Sequence, residues 1–287
     1  MLNLREIHKP KTIEEAIKLL QQPDTVALAG GTELIAGQRR DVHAVVDLSA
    51  LGLSYIRENA GAIAIGAMTT LAELVESPIL RAMANGVVAQ AAHRSAASVL
   101  RNQGTVAGTL ITEPDGVLAV ALLALDAQAT VVRKDTRTVT LADFLAMREH
   151  LLMIALLTEI ILPITNPRAS LQTVARTPSD KPIVSVCAAA RIDQNVARDV
   201  RIALGGVAET AVRATATEQA LEGHTLNDAV IESAARAAAE GLSPRGDPSA
   251  EFTLRNEGLR TSFRGSVDYR KEMSVVLTRR AVKELVM

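Results

Sequence analysis

The chain has no tryptophan, one cysteine, and aromatic side chains at only 2% of its 287 positions. A single thiol, Cys187, excludes an intramolecular disulfide and any iron–sulfur or zinc site built from cysteines of this chain. Set in Val184-Ser185-Val186-Cys187-Ala188-Ala189-Ala190, it reads as a buried packing residue rather than a nucleophile. Scarce aromatics disfavour base-stacking platforms, and a net charge of −1 leaves no basic surplus for nucleic acid. The longest apolar run, Val117 to Leu125, falls far short of the roughly 20 residues of a membrane span. The first dozen residues carry Arg5, Glu6, Lys9 and Lys11, unlike a signal peptide. A cytoplasmic protein with no membrane span is expected.

Familiar catalytic motifs are missing too. No Gly-x-Gly-x-x-Gly follows a strand, no Gly-Lys-Ser/Thr closes a phosphate loop, and no Gly-x-Ser-x-Gly elbow occurs. The histidines at 8, 43, 93, 150 and 224 have no metal-ligand spacing. The chain therefore offers no protein nucleophile and no metal site of its own.

What it does offer is a pair of glycine loops. The first, Ala29-Gly30-Gly31-Thr32-Glu33-Leu34, is entered from Val26-Ala27-Leu28. The second is Arg101-Asn102-Gln103-Gly104-Thr105-Val106-Ala107-Gly108-Thr109, followed by Asp115. Glycines after a buried strand let bare backbone N–H groups approach a ligand with no Cβ in the way, and a concave row of them suits phosphate. Two such loops with neighbouring hydroxyls suggest a diphosphate held from two sides. Such a cradle without a nucleophile fits a bound cofactor that carries the redox chemistry. Taken singly, each feature has a plainer reading. Gly30-Gly31 also suits a tight turn, Glu33 a helix first turn, Asp115 a helix cap, Arg101 a salt bridge locking its loop, and Asn102 a backbone bridge.

The pattern along the chain is α+β. Thr12 and Glu15 predict a capping box ahead of Ile13, Ala16, Ile17 and Leu20. Strands are expected at 26–29, 45–47 and 63–66. Thr70 with Glu73 and then Pro78 mark helix starts, and Ala-rich helix continues to about 97. Residues 117–125 read as a helix with no polar face. Further strands are expected at 129–132, 139–141 and 158–162, with a helix starting at Thr140. Pro163 to Pro167 marks a boundary. Beyond it, strands 184–192 and 196–204 joined through Asp193-Gln194-Asn195 predict a hairpin, helices follow at 214–222 and 229–240, and a last helix starts after Ser266. Residues 242–265 read as a surface loop.

AGGTEL (29–34), LRNQGTVAGTL (100–110) and LLALDA (122–127) resemble the FAD-binding subunit of molybdenum hydroxylases, the family of xanthine dehydrogenase and carbon monoxide dehydrogenase flavoproteins. The resemblance extends to TIEEAIKLL (12–20), IAIGAMTTLAEL (63–74), TEIILP (158–163), PIVSVCAAARID (182–193), ALGGVAETAVRATATEQALEG (203–223) and VDYRKEMSVVLTRRAV (267–282). It implies a two-lobed, PCMH-type FAD-binding domain over 1–165, with lobes at about 1–55 and 56–165, followed by a smaller α+β domain over 168–287 with an antiparallel sheet plus helices.

By the same resemblance, FAD would be bound by Ala27, Leu28, Ala29, Gly30, Gly31, Thr32, Glu33 and Leu34 and by Thr105, Val106, Ala107, Gly108 and Thr109. Arg101 and Asn102, which open the second loop, are also expected to bind the cofactor. Asp115 matches an aspartate on the flavin side, and Leu157 the apolar residue against the isoalloxazine. The resemblance implies partners carrying two [2Fe-2S] clusters and the molybdenum cofactor, with electrons passing to NAD, a quinone or another acceptor. Three departures stand out. Ala107 replaces a family glycine, Thr109 replaces an asparagine, and the stretch from Thr109 to Asp115 is shortened. These motivate an alternative, a structural subunit of the same fold that has lost FAD. If Ala107 needs positive φ, the strain is about 1–2 kcal/mol.

Overall fold

The computed structural model describes residues 4–37, 41–152, 155–177, 180–242 and 265–287. The chain divides into two compact units, residues 1–114 with 125–165 and residues 115–124 with 166–287.

The first unit opens with β1 (Glu6–His8), α1 (Ile13–Leu20), β2 (Thr25–Leu28), α2 (Thr32–Ala36) and β3 (Ala44–Asp47). Its three strands form a parallel sheet in the order β1-β3-β2. At the start of α1, Thr12 Oγ1 accepts from Glu15 N, while the Glu15 carboxylate answers the amide of Lys11 rather than that of Thr12. Ala16 and Ile17 bury against Val46 and Leu48. Parallel neighbours need a crossover, and the one from β2 to β3 begins in the first glycine loop and enters α2.

A second, antiparallel sheet has the order β4-β5-β8-β6-β7. It starts with β4 (Ile56–Asn59) and β5 (Ala62–Gly66), which lead into α3 (Leu71–Glu76), α4 (Pro78–Ala82), α5 (Val87–Ser95), α6 (Ser98–Arg101) and α7 (Val106–Thr112). The chain then forms α8 (Val117–Ala124) in the other unit, and returns as β6 (Gln128–Val132), β7 (Thr136–Thr140), α9 (Leu141–Leu152) and β8 (Leu156–Pro163). The capping box of Thr70 and Glu73 is complete, and Pro78 stands in the first turn of α4 behind the Ser77 cap. β8 carries a bulge: Thr130 pairs with Glu159 and Val131 with Leu157, leaving Thr158 as the extra residue.

The second unit holds β9 (Arg168–Val174), β10 (Val184–Asp193), β11 (Val196–Gly205) and β12 (Val212–Arg213) in an antiparallel sheet ordered β12-β11-β10-β9, with α10 (Thr215–Leu221), α11 (Asp228–Ala237) and α12 (Val267–Glu284). Gln194 and Asn195 turn the hairpin with φ of 47° and 64°, the left-handed pair a two-residue hairpin favours. Val184 through Ala190 are all buried, because β10 is covered on both faces. Val184, Val186 and Ala188 cluster with Leu221, Ile231 and Leu277, and α8 packs on β10 and β11. Cys187 is 0% exposed there, and burial pushes its thiol up to about 12, which leaves no thiolate at neutral pH.

The position of α8 adds one exception to a division near residue 165. A boundary at 163–167 puts residues 117–125 in the first domain, yet residues 115–124 belong to the second unit. All eight residues of α8 are buried, and a helix apolar all round needs cover on every side. The expected surface loop at 242–265 lies almost wholly outside the described residues. The architecture is α+β, with an antiparallel sheet plus helices in its C-terminal part.

Candidate cofactor site

The two glycine loops meet. A Cβ placed on Gly30 would lie 1.8 Å from the carbonyl oxygen of Gln103, 2.6 Å from its carbon, and 3.2 Å from the amide nitrogen of Gly104. Only glycine permits that main-chain contact. The next residue, Gly31, takes φ 72°, ψ −4° and forms the N-cap of α2 with no side-chain capping bond. The helical ladder begins with Ile35 N donating to Gly31 O at 3.0 Å. The amides of Thr32, Glu33 and Leu34 therefore have no intrahelical acceptor. Thr32 and Leu34 are half-buried and Glu33 is exposed. Ala27 and Leu28 sit in the parallel ladder opposite Val46 and Asp47, with Ala29 at its exit.

The second loop differs from its sequence reading. From Val106 onward it is the first turn of α7, and its amides are engaged within the chain. Val106 N donates to Thr69 O at 2.9 Å, Ala107 N to Ala67 O at 3.0 Å and Thr109 N to Thr105 O at 2.9 Å. Gly108 N donates to Thr105 Oγ1 at 3.2 Å. Gln103 N and Gly104 N both turn back to Leu100 O, at 3.1 Å and 2.7 Å. A row of bare amides over 105–109 is thus replaced by a capped helix start. Thr105 is 3% exposed; its hydroxyl accepts the Gly108 bond and keeps its proton for donation. Thr109 is half-buried and brings a second hydroxyl on the same turn. Ala107 is helical, outside the positive-φ residues, so the strain foreseen for it does not arise.

Among the described residues Arg101 has no salt-bridge partner of the kind read from the sequence. Its Nη1 donates to the carbonyls of His93 and Ala96, at 3.1 Å and 2.8 Å, which clamps the end of α5 to α6. Arg101 and exposed Asn102 line a separate hollow of 270 Å³ with Ala72, Val75, Glu76 and Val99. Leu157 is 2% exposed within β8, opposite Val131, and presents no surface to a ring system. Asp115 is the first residue of the second unit, two residues ahead of α8.

Do the residues present fit FAD? The Gly30 contact excludes a Cβ and the left-handed Gly31 favours glycine, the three amides that open α2 have no intrahelical acceptor, and Thr105 caps α7 with Thr109 on its first turn. Residues 27–37 and 102–112 contain neither lysine nor arginine, so the grip comes from dipoles rather than full charges. These features fit a nucleotide diphosphate. Sequence reasoning missed the 66–71 segment as the second loop's anchor. Its only signal was IAIGAMTTLAEL, which resembles the family without disclosing a role.

Comparison with known proteins agrees with this fold. Residues 3–165 match the family described as FAD binding domain in molybdopterin dehydrogenase, and residues 169–263 match the CO dehydrogenase flavoprotein C-terminal domain. The chain belongs to the FAD-binding flavoprotein family of the molybdopterin dehydrogenases, whose cofactor is FAD and whose members are oxidoreductase components. It is 27% identical to the glyceraldehyde dehydrogenase medium chain of Sulfolobus acidocaldarius, over 96% of each chain. It is 30% identical to the 6-hydroxypseudooxynicotine dehydrogenase complex subunit alpha of Paenarthrobacter nicotinovorans, over 81% of this chain and 83% of that one. Its structure aligns with carbon monoxide dehydrogenase from Hydrogenophaga pseudoflava lacking the Mo-pyranopterin moiety. The TM-score is 0.85 at 26% identity, over 99% of this chain and 97% of that one.

Proposed function

We propose that the chain is the electron-transfer subunit of a multi-subunit molybdenum dehydrogenase, working in the cytoplasm. It takes electrons from [2Fe-2S] clusters on one partner, itself reduced by a larger molybdenum-cofactor subunit, and delivers them to NAD, a quinone or another acceptor. The observation that carries this reading is the contact of Gly30 with the Gln103 carbonyl, which brings the two loops together at one place. The relatives' names support a role within a complex, since one is a medium chain and another a complex subunit. One cysteine in the whole chain cannot ligate clusters, so the metal centres belong to partners. No single helix among the described residues is long and apolar enough to cross a membrane.

FAD, when bound, supplies the one- and two-electron redox chemistry. The chain's own residues bind and orient. The amides of Thr32, Glu33 and Leu34 would hold the diphosphate, Gly31 would leave it room, and Thr105 and Thr109 would add hydroxyl donors. We assign the cofactor to residues 27–34 and 105–109. Residues 1–165 act as the FAD-binding domain and 168–287 as the second, with α8 contributed to the latter's core.

A second reading, a subunit of this fold without flavin, is favoured by the second loop, whose amides at 106–109 are engaged within the chain. Titration of purified protein with FAD, followed by flavin emission and absorption, separates the two. Micromolar or tighter binding supports the flavoprotein reading; no binding at excess FAD supports the other.

A further inference from the structure

The segment Gly66–Leu71 joins three parts of the first unit through main-chain bonds. Gly66 N donates to Tyr55 O, Ala67 N to Thr158 O and Met68 N to Leu53 O, each at 2.9 Å. Ala67 O and Thr69 O receive the amides of Ala107 and Val106, and Leu71 N donates to Gly104 O at 2.8 Å. The Ala67 amide thus ends on the bulged residue of β8, which extra register frees to turn its carbonyl out of the ladder. At the centre lies Thr69, 1% exposed. Its Oγ1 accepts from Tyr55 N at 3.0 Å and donates to Tyr55 O at 2.9 Å. A hydroxyl that both accepts from and donates to one residue fixes the distance and the rotation between two backbones.

We propose that Thr69 is a positioning residue for the cofactor site: tied by its hydroxyl to Tyr55, it holds the carbonyls that set the start of α7, and so the place where the second glycine loop meets Gly30. The path is short. Thr69 O fixes Val106 and Ala67 O fixes Ala107, while Gly104, two residues before Val106, is fixed by Leu71. Between Gly104 and the first loop stands only the Gln103 carbonyl against Gly30. A displacement at Thr69 therefore reaches the contact between the loops through two or three hydrogen bonds, a short run of main chain and the packing of the Gln103 carbonyl on Gly30. Valine keeps the shape of threonine and loses both bonds to Tyr55.

This rests on the flavoprotein reading, and the test keeps the two apart. Wild type, Thr69→Val and Thr69→Ser are titrated with FAD well below the unfolding transition, and the visible circular dichroism of the bound flavin is recorded. Thr69→Val should weaken FAD by about tenfold or more, the scale of one lost hydrogen bond to a charged group, and alter the dichroism; Thr69→Ser should restore both. Val106→Pro gives an independent cut. Proline is tolerated at the first helical position, and residue 105 is already extended with φ −103° and ψ 161°, so the helix is kept and the bond to Thr69 O is lost. It should weaken FAD likewise. Ile231→Val, in the core of the second unit, controls for lost stability and should leave affinity unchanged. If wild type takes no FAD, the flavoprotein reading fails. If wild type binds while Thr69→Val or Val106→Pro binds equally well, or Thr69→Ser does not rescue, the positioning role fails alone.

Discussion

Replacing Gly30 by alanine tests the meeting of the loops directly. The added carbon would stand 1.8 Å from the Gln103 carbonyl oxygen, and the two atoms must separate by more than an ångström to reach an ordinary contact. Neither side yields easily. Gly104 N and Gln103 N are bonded back to Leu100 O, and Gly104 O is held by Leu71 N, while Gly30 stands two residues past the end of β2. Inserting one carbon into packed backbone costs about 1–3 kcal/mol, so thermal unfolding should fall by about 2–4 °C for each kcal/mol in a chain of this size. The functional effect should be larger. If the loops part enough to lose one hydrogen bond to the diphosphate, worth about 1.5–3 kcal/mol, FAD affinity drops by roughly 10- to 150-fold. Flavin-emission titration reads the affinity and calorimetry the stability. Gly52→Ala is the control, since Gly52 has positive φ, 68°, and nothing within 4 Å of an added carbon; it should cost stability without touching affinity. If Gly30→Ala binds FAD like wild type and unfolds at the same temperature, the loops are not in contact and the site is wrongly drawn.

Three further outcomes follow from the geometry. Arg101→Ala removes the clamp on the His93 and Ala96 carbonyls and should cost about 1–3 kcal/mol of stability, with FAD affinity within about threefold of wild type; a large affinity loss at unchanged stability would make Arg101 a ligand instead. Leu157→Ala should cost about 2–5 kcal/mol as a core truncation and leave the affinity of the folded protein intact, whereas a residue lying on the flavin would show the reverse pattern. Burial, then the hydrogen bond and charge of Glu159, push the Tyr55 phenol from 10.0 up to about 12. The folded chain then holds that proton more tightly than the unfolded one. The resulting stabilisation is complete below pH 10 and drains away as pH rises toward 12. The gap in unfolding temperature between wild type and Tyr55→Phe should narrow across that window, and a constant gap would contradict the assignment.

How much of this was legible in the sequence depends on whether the signal is local. Thr70 with Glu73, Pro78 behind Ser77, and Ser266 ahead of α12 are each decided within one helical turn, and each reads directly from residue types. So does the hairpin at Gln194-Asn195. The glycine loops were legible as positions but only half legible as chemistry. Gly30 and Gly31 keep their amide-rich bend, whereas Val106-Ala107-Gly108-Thr109 hides a helix start, because glycine and β-branched residues disguise it and because its acceptors, Ala67 and Thr69, lie far away in the chain. The strands β1 and β4 escape notice for a related reason: mostly exposed residues such as Glu6, Arg57 and Glu58 carry no hydrophobic alternation. The bulge at Thr158 leaves no mark in composition at all; it follows from register against β6.

The lending of α8 to the second unit has a consequence for how the protein is made and cut. The polypeptide passes between the units at 114–115, 124–125 and 165–166, so neither is a single stretch of chain. During synthesis α8 emerges long before β10 and β11, and its uninterrupted apolar surface must wait for the sheet that will cover it, a natural point for a chaperone to engage. A fragment ended at residue 165 would keep that helix and lose its cover, and should be sticky. Isolating either half cleanly calls for excising 115–124 and supplying it to the other.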